Sequence, residues 1–246
     1  MRLKICVLFD LLRKRWRWLL RLAVFGLLTG WILTWALDSP LRPALAERDG
    51  IRAAAVHVSG RACGRFSEGS GFVVEPGLAL TSAHVVAGVE DIKVITPDGV
   101  SQTGVLAGFD SGRDIAAILI SDSHARPVAL APTVAAAGDR GDVATVDGDD
   151  GLGLVPFTVK RRIWLRGDMV YDEGAEARRA LELNSLLGPG DSGAALVNVD
   201  GEVWGMVFAI ARGERDQGYA LDRVDIGAFL SEIDRVPLPT PPCATR

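Results

Sequence analysis

The stretch Leu187-Gly188-Pro189-Gly190-Asp191-Ser192-Gly193 decides how this chain is read. Its glycines let backbone N–H groups crowd around one point beside a single serine hydroxyl. The apolar run Ala194-Ala195-Leu196-Val197 follows at once, which a mere surface turn does not require. A serine hydroxyl is a poor nucleophile near neutral pH and needs a base within hydrogen-bond reach. The chain has three histidines, His57, His84 and His124, and all precede Ser192.

Working outward, His84 stands in Thr81-Ser82-Ala83-His84-Val85-Val86, after the apolar run Leu78–Leu80 and among small residues. This context fits a ring projecting from a strand end into a cleft. Asp114 opens the run Asp114-Ile115-Ala116-Ala117-Ile118-Leu119. A carboxylate at the mouth of a buried strand can be held dry, accept the base's N–H, and fix its tautomer. Asp110, in Phe109-Asp110-Ser111-Gly112, is the rival and reads as a turn cap. His84 is therefore expected as general base, Asp114 as its orienter and Ser192 as nucleophile. The N–H groups of Gly190 and Ser192 are expected to form the oxyanion hole.

The order His, Asp, Ser discriminates among folds. An α/β-hydrolase needs a histidine after its serine, and the G-x-S-x-G elbow fails because Ala194 follows Gly193. A subtilisin-like order needs the aspartate first. The only aspartates before His84 are Asp10, Asp38 and Asp49, in or near the N-terminal segment.

Between residues 51 and 246 the chain breaks into short β-rich runs separated by turn residues. Examples are Ala53–Val58, Gly71–Val74, Ile92–Ile95, Ile115–Ile120, Val143–Val146, Arg162–Leu165, Ala194–Asn198 and Val203–Ala209. Pro76-Gly77, Pro97-Asp98-Gly99, Asp147-Gly148 and Asp200-Gly201 supply the punctuation. Such a pattern points to an all-β domain. One helix is expected over Val224 to Ile233, with Ile226, Phe229, Leu230 and Ile233 on one face. A Pro-rich tail, Val236–Pro242, follows, and no further binding module is expected after the helix.

The N-terminus reads as an anchor. Residues 1–18 form a basic leader and residues 19–37 a membrane-spanning segment, in which Leu22 to Leu37 carries no charge. Residues 38–50 form a linker with Pro40 and Pro43. The basic flank should stay in the cytoplasm and send residues 51–246 outward. The alternative is a cleaved signal peptide, with Ala44-Leu45-Ala46 as the cleavage site. The anchor is favoured because signal h-regions are usually shorter.

Charge divides accordingly. Residues 1–46 hold eight Lys/Arg against two Asp/Glu, and residues 47–246 hold nineteen against twenty-nine. The acidic main domain argues against nucleic acid as a partner, since such binding rests on phosphate neutralisation. Of three cysteines, Cys6 lies in the leader; Cys63 and Cys243 are expected to pair outside the cytoplasm, with two free thiols as the alternative. No metal and no cofactor are expected. Asp147-Gly148-Asp149-Asp150-Gly151 lacks EF-hand spacing, with Thr158 where the closing Glu belongs. Gly151-Leu152-Gly153 is too short for a dinucleotide loop, and His57 and His124 lack companions for zinc.

Taken together, the three strings resemble the trypsin-like serine proteases. The forms Thr-Ser-Ala-His-Val-Val and Asp-Ile-Ala-Ala-Ile-Leu are similar to the bacterial HtrA/Deg-like branch. Cys63 before Gly69-Ser70-Gly71-Phe72-Val73-Val74, the run Gly205-Met206-Val207-Phe208, and Cys243 near the terminus look most like the membrane-anchored, disulfide-bearing, MarP-like periplasmic proteases of mycobacteria. The resemblance covers roughly residues 51–246. It implies two six-stranded antiparallel β-barrels of the chymotrypsin kind with the site between them, protein or peptide substrates, and a place in envelope stress response or protein processing. By the same resemblance Leu186 and Leu187 are expected at the floor of the substrate pocket and Trp204, Gly205 and Met206 along its wall. With no acidic residue on that floor, an apolar or small residue is expected before the scissile bond. Ala194 stands where the family usually has glycine, which keeps a catalytically weak, protease-fold binding protein as the alternative.

Overall fold

The computed structural model describes residues 50–96, 98–121, 125–147, 151–166, 170–171, 177–211 and 216–244. The leader, the segment over 19–37, the linker up to residue 49, the Ala46 site, His124 and residues 148–150 of the acidic tip lie outside them.

Twelve strands form two closed barrels. The first contains β1 (Ala55–Ala62), β2 (Arg65–Glu75), β3 (Leu78–Thr81), β4 (Ile92–Ile95), β5 (Ser101–Asp110) and β6 (Ile115–Leu119). The second contains β7 (Arg140–Asp147), β8 (Gly151–Leu165), β9 (Arg178–Asn184), β10 (Ala195–Val197), β11 (Val203–Ile210) and β12 (Gln217–Asp222). Within each barrel the strands run first, second, third, sixth, fifth, fourth around the wall. Antiparallel pairing of β1 with β4, and of β10 with β7, closes the two rings, so neither sheet keeps a free edge.

Local chemistry explains the turns. Ala62 pairs with Arg65, leaving Cys63-Gly64 as a two-residue loop with φ of 55° and 80°. Positive φ at both central residues is the primed turn that matches strand twist. Gly71 and Gly104 lie against Val56, Val94 and Ile118 where a Cβ would clash, so small residues let the barrel walls approach. Three strands escape the alternating pattern sought in the sequence. β5 carries Gly104 and Gly108, β9 begins Arg178-Arg179, and β12 is only Gln217–Asp222. Charged residues enter β9 because they are paired: buried Glu182 receives Lys160 at 3.2 Å and Arg161 at 2.7 Å from β8. The run read as Arg162–Leu165 is the end of a fifteen-residue strand.

The barrels share one core. Phe72, Leu80 and Ile115 of the first meet Val146, Val203, Met206 and Leu221 of the second in a continuous cluster. Among the described residues, two helices follow the first strands, after the helical residues 50–54 that lead into β1. The single turn α1 (Ala83–Val86) buries Val85 and Val86 in the first barrel. Helix α2 (Arg223–Glu232) starts at Asp222, whose carboxylate accepts the Val224 N–H at 2.9 Å. Its residues Ile226 and Phe229 are buried, and a Cβ on Gly108 would lie 2.8 Å from both Phe229 and Ile233. The last helix of the second barrel thus packs on β5 of the first.

The chain then returns across the first barrel. Leu238 N–H donates to the Leu106 carbonyl at 2.7 Å, and Gly88 N–H donates to the Pro241 carbonyl at 3.1 Å. Cys243 ends this course in a disulfide with Cys63, their Cα atoms 6.2 Å apart. The bridge closes a loop of 180 residues in sequence. A chain-entropy estimate puts its ceiling near ~5 kcal/mol. The Cys63→Ser/Cys243→Ser double variant is accordingly expected to lower unfolding stability by about 2–5 kcal/mol, read from denaturant midpoints in oxidising buffer.

Candidate active site

His84 sits on α1 and Asp114 on the turn between β5 and β6, and the structure brings them together twice. The His84 backbone N–H donates to Asp114 Oδ1 at 2.9 Å. The ring Nδ1 lies 2.8 Å from Asp114 Oδ2. With a carboxylate there, Nδ1 carries the proton and Nε2 is left as the basic nitrogen. The Asp114 side chain is 11% exposed, whereas the His84 side chain is 36% exposed. The ring therefore has a dry side facing the carboxylate and an open side facing solvent. Asp114 adopts φ of 58°, a left-handed conformation costing about 1 kcal/mol for most side chains and tolerated best by Asp and Asn. Asp110 does cap its turn, accepting the Arg113 N–H at 2.8 Å.

Ser192 follows a loop that folds on itself. Gly188 N–H donates to Asp191 Oδ2 at 2.7 Å, and Asp191 N–H reaches the Gly188 carbonyl at 3.3 Å. Gly193 N–H donates to the Val207 carbonyl at 2.7 Å, and Ala194 N–H to the Asp191 carbonyl at 3.0 Å. Among the described residues, the N–H groups of Gly190 and Ser192 donate to no protein acceptor. Pro189 carries no N–H, the amides of Gly188, Asp191, Gly193 and Ala194 are engaged, and these two are left over. Gly190 takes φ of 94° to present them. Partial burial raises the Asp191 carboxyl above the ordinary aspartate value, while the Gly188 N–H works in the opposite direction.

Ser70, on β2, joins this loop to both barrels. Its hydroxyl donates to the Gly190 carbonyl at 2.9 Å and accepts the Val146 N–H at 2.9 Å. Its own N–H donates to the Ser192 carbonyl at 2.8 Å, and its carbonyl accepts the Thr81 hydroxyl at 2.7 Å. Ser82, just before α1, reaches the Val207 carbonyl at 3.1 Å. Gly69 marks where the His84 turn and the serine loop meet: a Cβ there would lie 2.7 Å from both the Ser192 carbonyl oxygen and Val85 Cγ2. Gly193, at φ of 89°, has its missing Cβ directed onto the Ser70 carbonyl. The sequence reading did not assign Ser70, Thr81 or Ser82 a role. Their signal was only a crowding of small residues around the quoted strings.

Ala194 is fully buried and keeps backbone bonds on both sides, accepting the Val207 N–H at 2.9 Å. It is absent from the positive-φ positions, so its methyl group brings no backbone strain.

The residues expected along the substrate wall are largely packed against protein. Met206 has no exposed surface and belongs to the core shared by the barrels. Gly205 is buried against β12. Trp204 is half-buried and packs edge-on to Phe157 of the second barrel, ring centres 6.5 Å apart. The part of β11 bonded to the serine loop is Val207, and the strand ends in Ile210 at 38% exposure. Strand alternation and a bulge at Val207–Ala209 set this register, neither of which the resemblance supplied. Leu186 is 72% exposed, while Leu187 turns inward and occupies the space where a Gly218 side chain would stand.

The family model for the trypsin-like peptidase domain matches residues 69–206. The chain belongs to this family. It is 28% identical over 172 residues to the serine protease Rv3671c of Mycobacterium tuberculosis, covering 70% of this chain and 43% of that protein. It is 34% identical over 166 residues to the Do-like serine protease HtrA of Bacillus subtilis, covering 63% of this chain and 35% of that one. The chain thus spans less than half the length of the curated relatives it matches. The crystal structure of the active form of the Rv3671c protease superposes with a TM-score of 0.77 at 25% identity, covering 84% of this chain and 92% of that one. The expected likeness to the MarP-like and HtrA-like proteases holds.

Two outcomes follow from the geometry. Ser70→Ala leaves the Gly190 carbonyl and the Val146 N–H without their partner, and is expected to cost about 1–3 kcal/mol in unfolding experiments. Asp191→Asn keeps an acceptor for Gly188 but removes a carboxylate whose ionisation is opposed by burial. A raised folded-state value means that the ionisation penalty is absent in acid and present above it. The variant's stability relative to the natural protein is therefore expected to be more favourable at pH ~7 than at pH ~4, as read by thermal melts.

Proposed function

We propose that this chain is a serine endopeptidase, with His84 as general base and then acid, Asp114 as its orienter and Ser192 as nucleophile. The carrying observation is the paired contact of Asp114 with the backbone and ring of His84, beside two uncommitted amides at Gly190 and Ser192. Ser192 Oγ attacks the peptide carbonyl while His84 Nε2 takes its proton. The oxyanion gathers charge facing the Gly190 and Ser192 N–H groups. His84 returns the proton to the departing amine, leaving an acyl-enzyme that water hydrolyses by the same route.

Substrates are proteins or peptides. The inward turn of Leu187 over Gly218 favours a shallow pocket, and therefore a small apolar residue before the cut. Residues 19–37 would hold the protease domain outside the cytoplasm at the membrane, with release after Ala46 as the variant form. Likeness to the mycobacterial and HtrA-type proteases supports a task in envelope protein processing or stress response. Ala194 adds no strain, so nothing in the serine loop favours the alternative of a binding protein without turnover.

The detergent-solubilised full chain is expected to be labelled by a fluorophosphonate probe, with labelling lost in Ser192→Ala. Asp114→Asn should lower kcat by about four orders of magnitude by misplacing the ring proton. No labelling between about pH 5 and 9 would overturn the assignment. A peptide library varied at the residue before the cut tests the pocket, and a dominant Arg/Lys preference would contradict it.

A further inference from the structure

The two amides left uncommitted in the serine loop belong to residues whose carbonyls end on the same partner. Ser70, on β2 of the first barrel, has no exposed surface. Its hydroxyl donates to the Gly190 carbonyl at 2.9 Å, and its own N–H donates to the Ser192 carbonyl at 2.8 Å. The Val146 N–H donates to the same hydroxyl at 2.9 Å, which leaves the hydroxyl proton for Gly190. The Ser192–Gly193 peptide is thereby held at both ends, by Ser70 and by the Val207 carbonyl. The Gly190–Asp191 peptide is held by Ser70 and, at a longer 3.3 Å, by the Gly188 carbonyl.

The two donors themselves differ in support. The peptide that carries the Ser192 N–H gives its carbonyl, that of Asp191, to the Ala194 N–H at 3.0 Å. The Pro189–Gly190 peptide, which carries the Gly190 N–H, meets no protein partner at either end among the described residues. Apart from its chain neighbours, no heavy atom lies within 4 Å of the place a Gly190 Cβ would take. Glycine populates φ of either sign at similar cost, so packing does not fix the turn of that N–H. It is fixed from the carbonyl side of Gly190, and among the described residues the one side chain bonded there is Ser70.

We propose that Ser70 is a positioning residue for the oxyanion hole: its hydroxyl holds the Gly190 carbonyl so that the Gly190 N–H stays turned toward the reacting carbonyl oxygen. This rests on the assignment of Gly190 and Ser192 as the hole of a serine protease. Ser70 acts through Gly190 and not on the substrate. Its loss leaves the donor present but free to turn away. Charge on the substrate oxygen develops only as Ser192 Oγ bonds the carbonyl carbon, so the loss falls on the transition state more than on bound substrate.

The test compares Ser70→Ala and Ser70→Cys with the natural protein in the detergent-solubilised full chain. Alanine removes the hydroxyl, and cysteine keeps a weak donor of similar size. Below the melting range of each variant, kcat and KM are read on a peptide p-nitroanilide chosen from a peptide library, and Ki for the trifluoromethyl ketone of the same peptide. Ser192 Oγ bonds the carbonyl carbon of that ketone, its proton passes to His84, and the ketone oxygen becomes an oxyanion facing the two N–H groups. Loss of a whole donor costs about 10²–10³ in rate, so kcat is expected to fall by about 10–100-fold in Ser70→Ala and less in Ser70→Cys, with KM within about twofold. Ki is expected to rise by the same factor as kcat/KM falls, within about threefold. A natural kcat in folded Ser70→Ala would overturn the proposal. So would a rise in KM that accounts for the loss, or a Ki that stays put while kcat/KM falls. If one variant fails to fold, kcat and Ki of the other decide; failure of both to fold overturns the proposal and makes Ser70 a structural residue alone. A natural protein that neither labels at Ser192 nor cleaves any library peptide is a different result and undoes the serine protease assignment itself.

Discussion

The hydroxyl and peptide of Ser70 are the fixed point of this molecule. Four hydrogen bonds converge on one buried residue, from Val146 and to Gly190 in the second barrel's territory, and from Thr81 and to Ser192 through its own backbone. The peptide of a strand in one barrel is thereby locked to the loop that carries the serine in the other. Such bonds are worth little singly, but leaving any one of these buried groups unmet is expensive. Geometry at Gly190 and Ser192 is consequently set by the closing of two barrels, and not by the loop alone.

That constraint explains the glycines around it. Gly69 and Gly193 stand where a methyl group would press on the carbonyls of Ser192 and Ser70, respectively. Close backbone approach, not turn flexibility, is what they provide. Gly190 serves the other need, a left-handed φ that leaves its N–H turned away from protein acceptors. The shared apolar core under these contacts, from Phe72 to Met206, keeps the two barrels from sliding past one another.

Electrostatics at the site follow the same economy of space. Asp114 is buried yet met by two donors from His84, and its left-handed backbone aims both oxygens at that residue. Asp191 is partly buried and satisfied locally by Gly188. Arg178 brings a third charged group into the same region from the opposite barrel. Asp114 and Asp191 are thus met within their own barrels, whereas Arg178 takes an acceptor, the Gly112 carbonyl, from the other.

Much of this was legible beforehand. The order of His84, Asp114 and Ser192, each beside an apolar run, excluded rival folds, short runs punctuated by turns pointed to an all-β domain, and the family resemblance implied the twin barrels. Cys63 and Cys243 paired as their expected location implied. The helix was found within a residue of its expected ends, since its apolar face repeats at helical spacing. β9 and the burial of Met206 were not legible. Glu182 and Arg178 look like surface residues until partners from other strands surround them, and the facing of Met206 depends on register. Sequence by itself determined which residues are the candidates for the chemistry and in what order, because local patterns mark strand, turn and a serine set among glycines. Only tertiary structure decided which amides stay uncommitted, which strand bonds to the serine loop and where Arg178 points. Those depend on hydrogen bonds and charges between segments more than sixty residues apart.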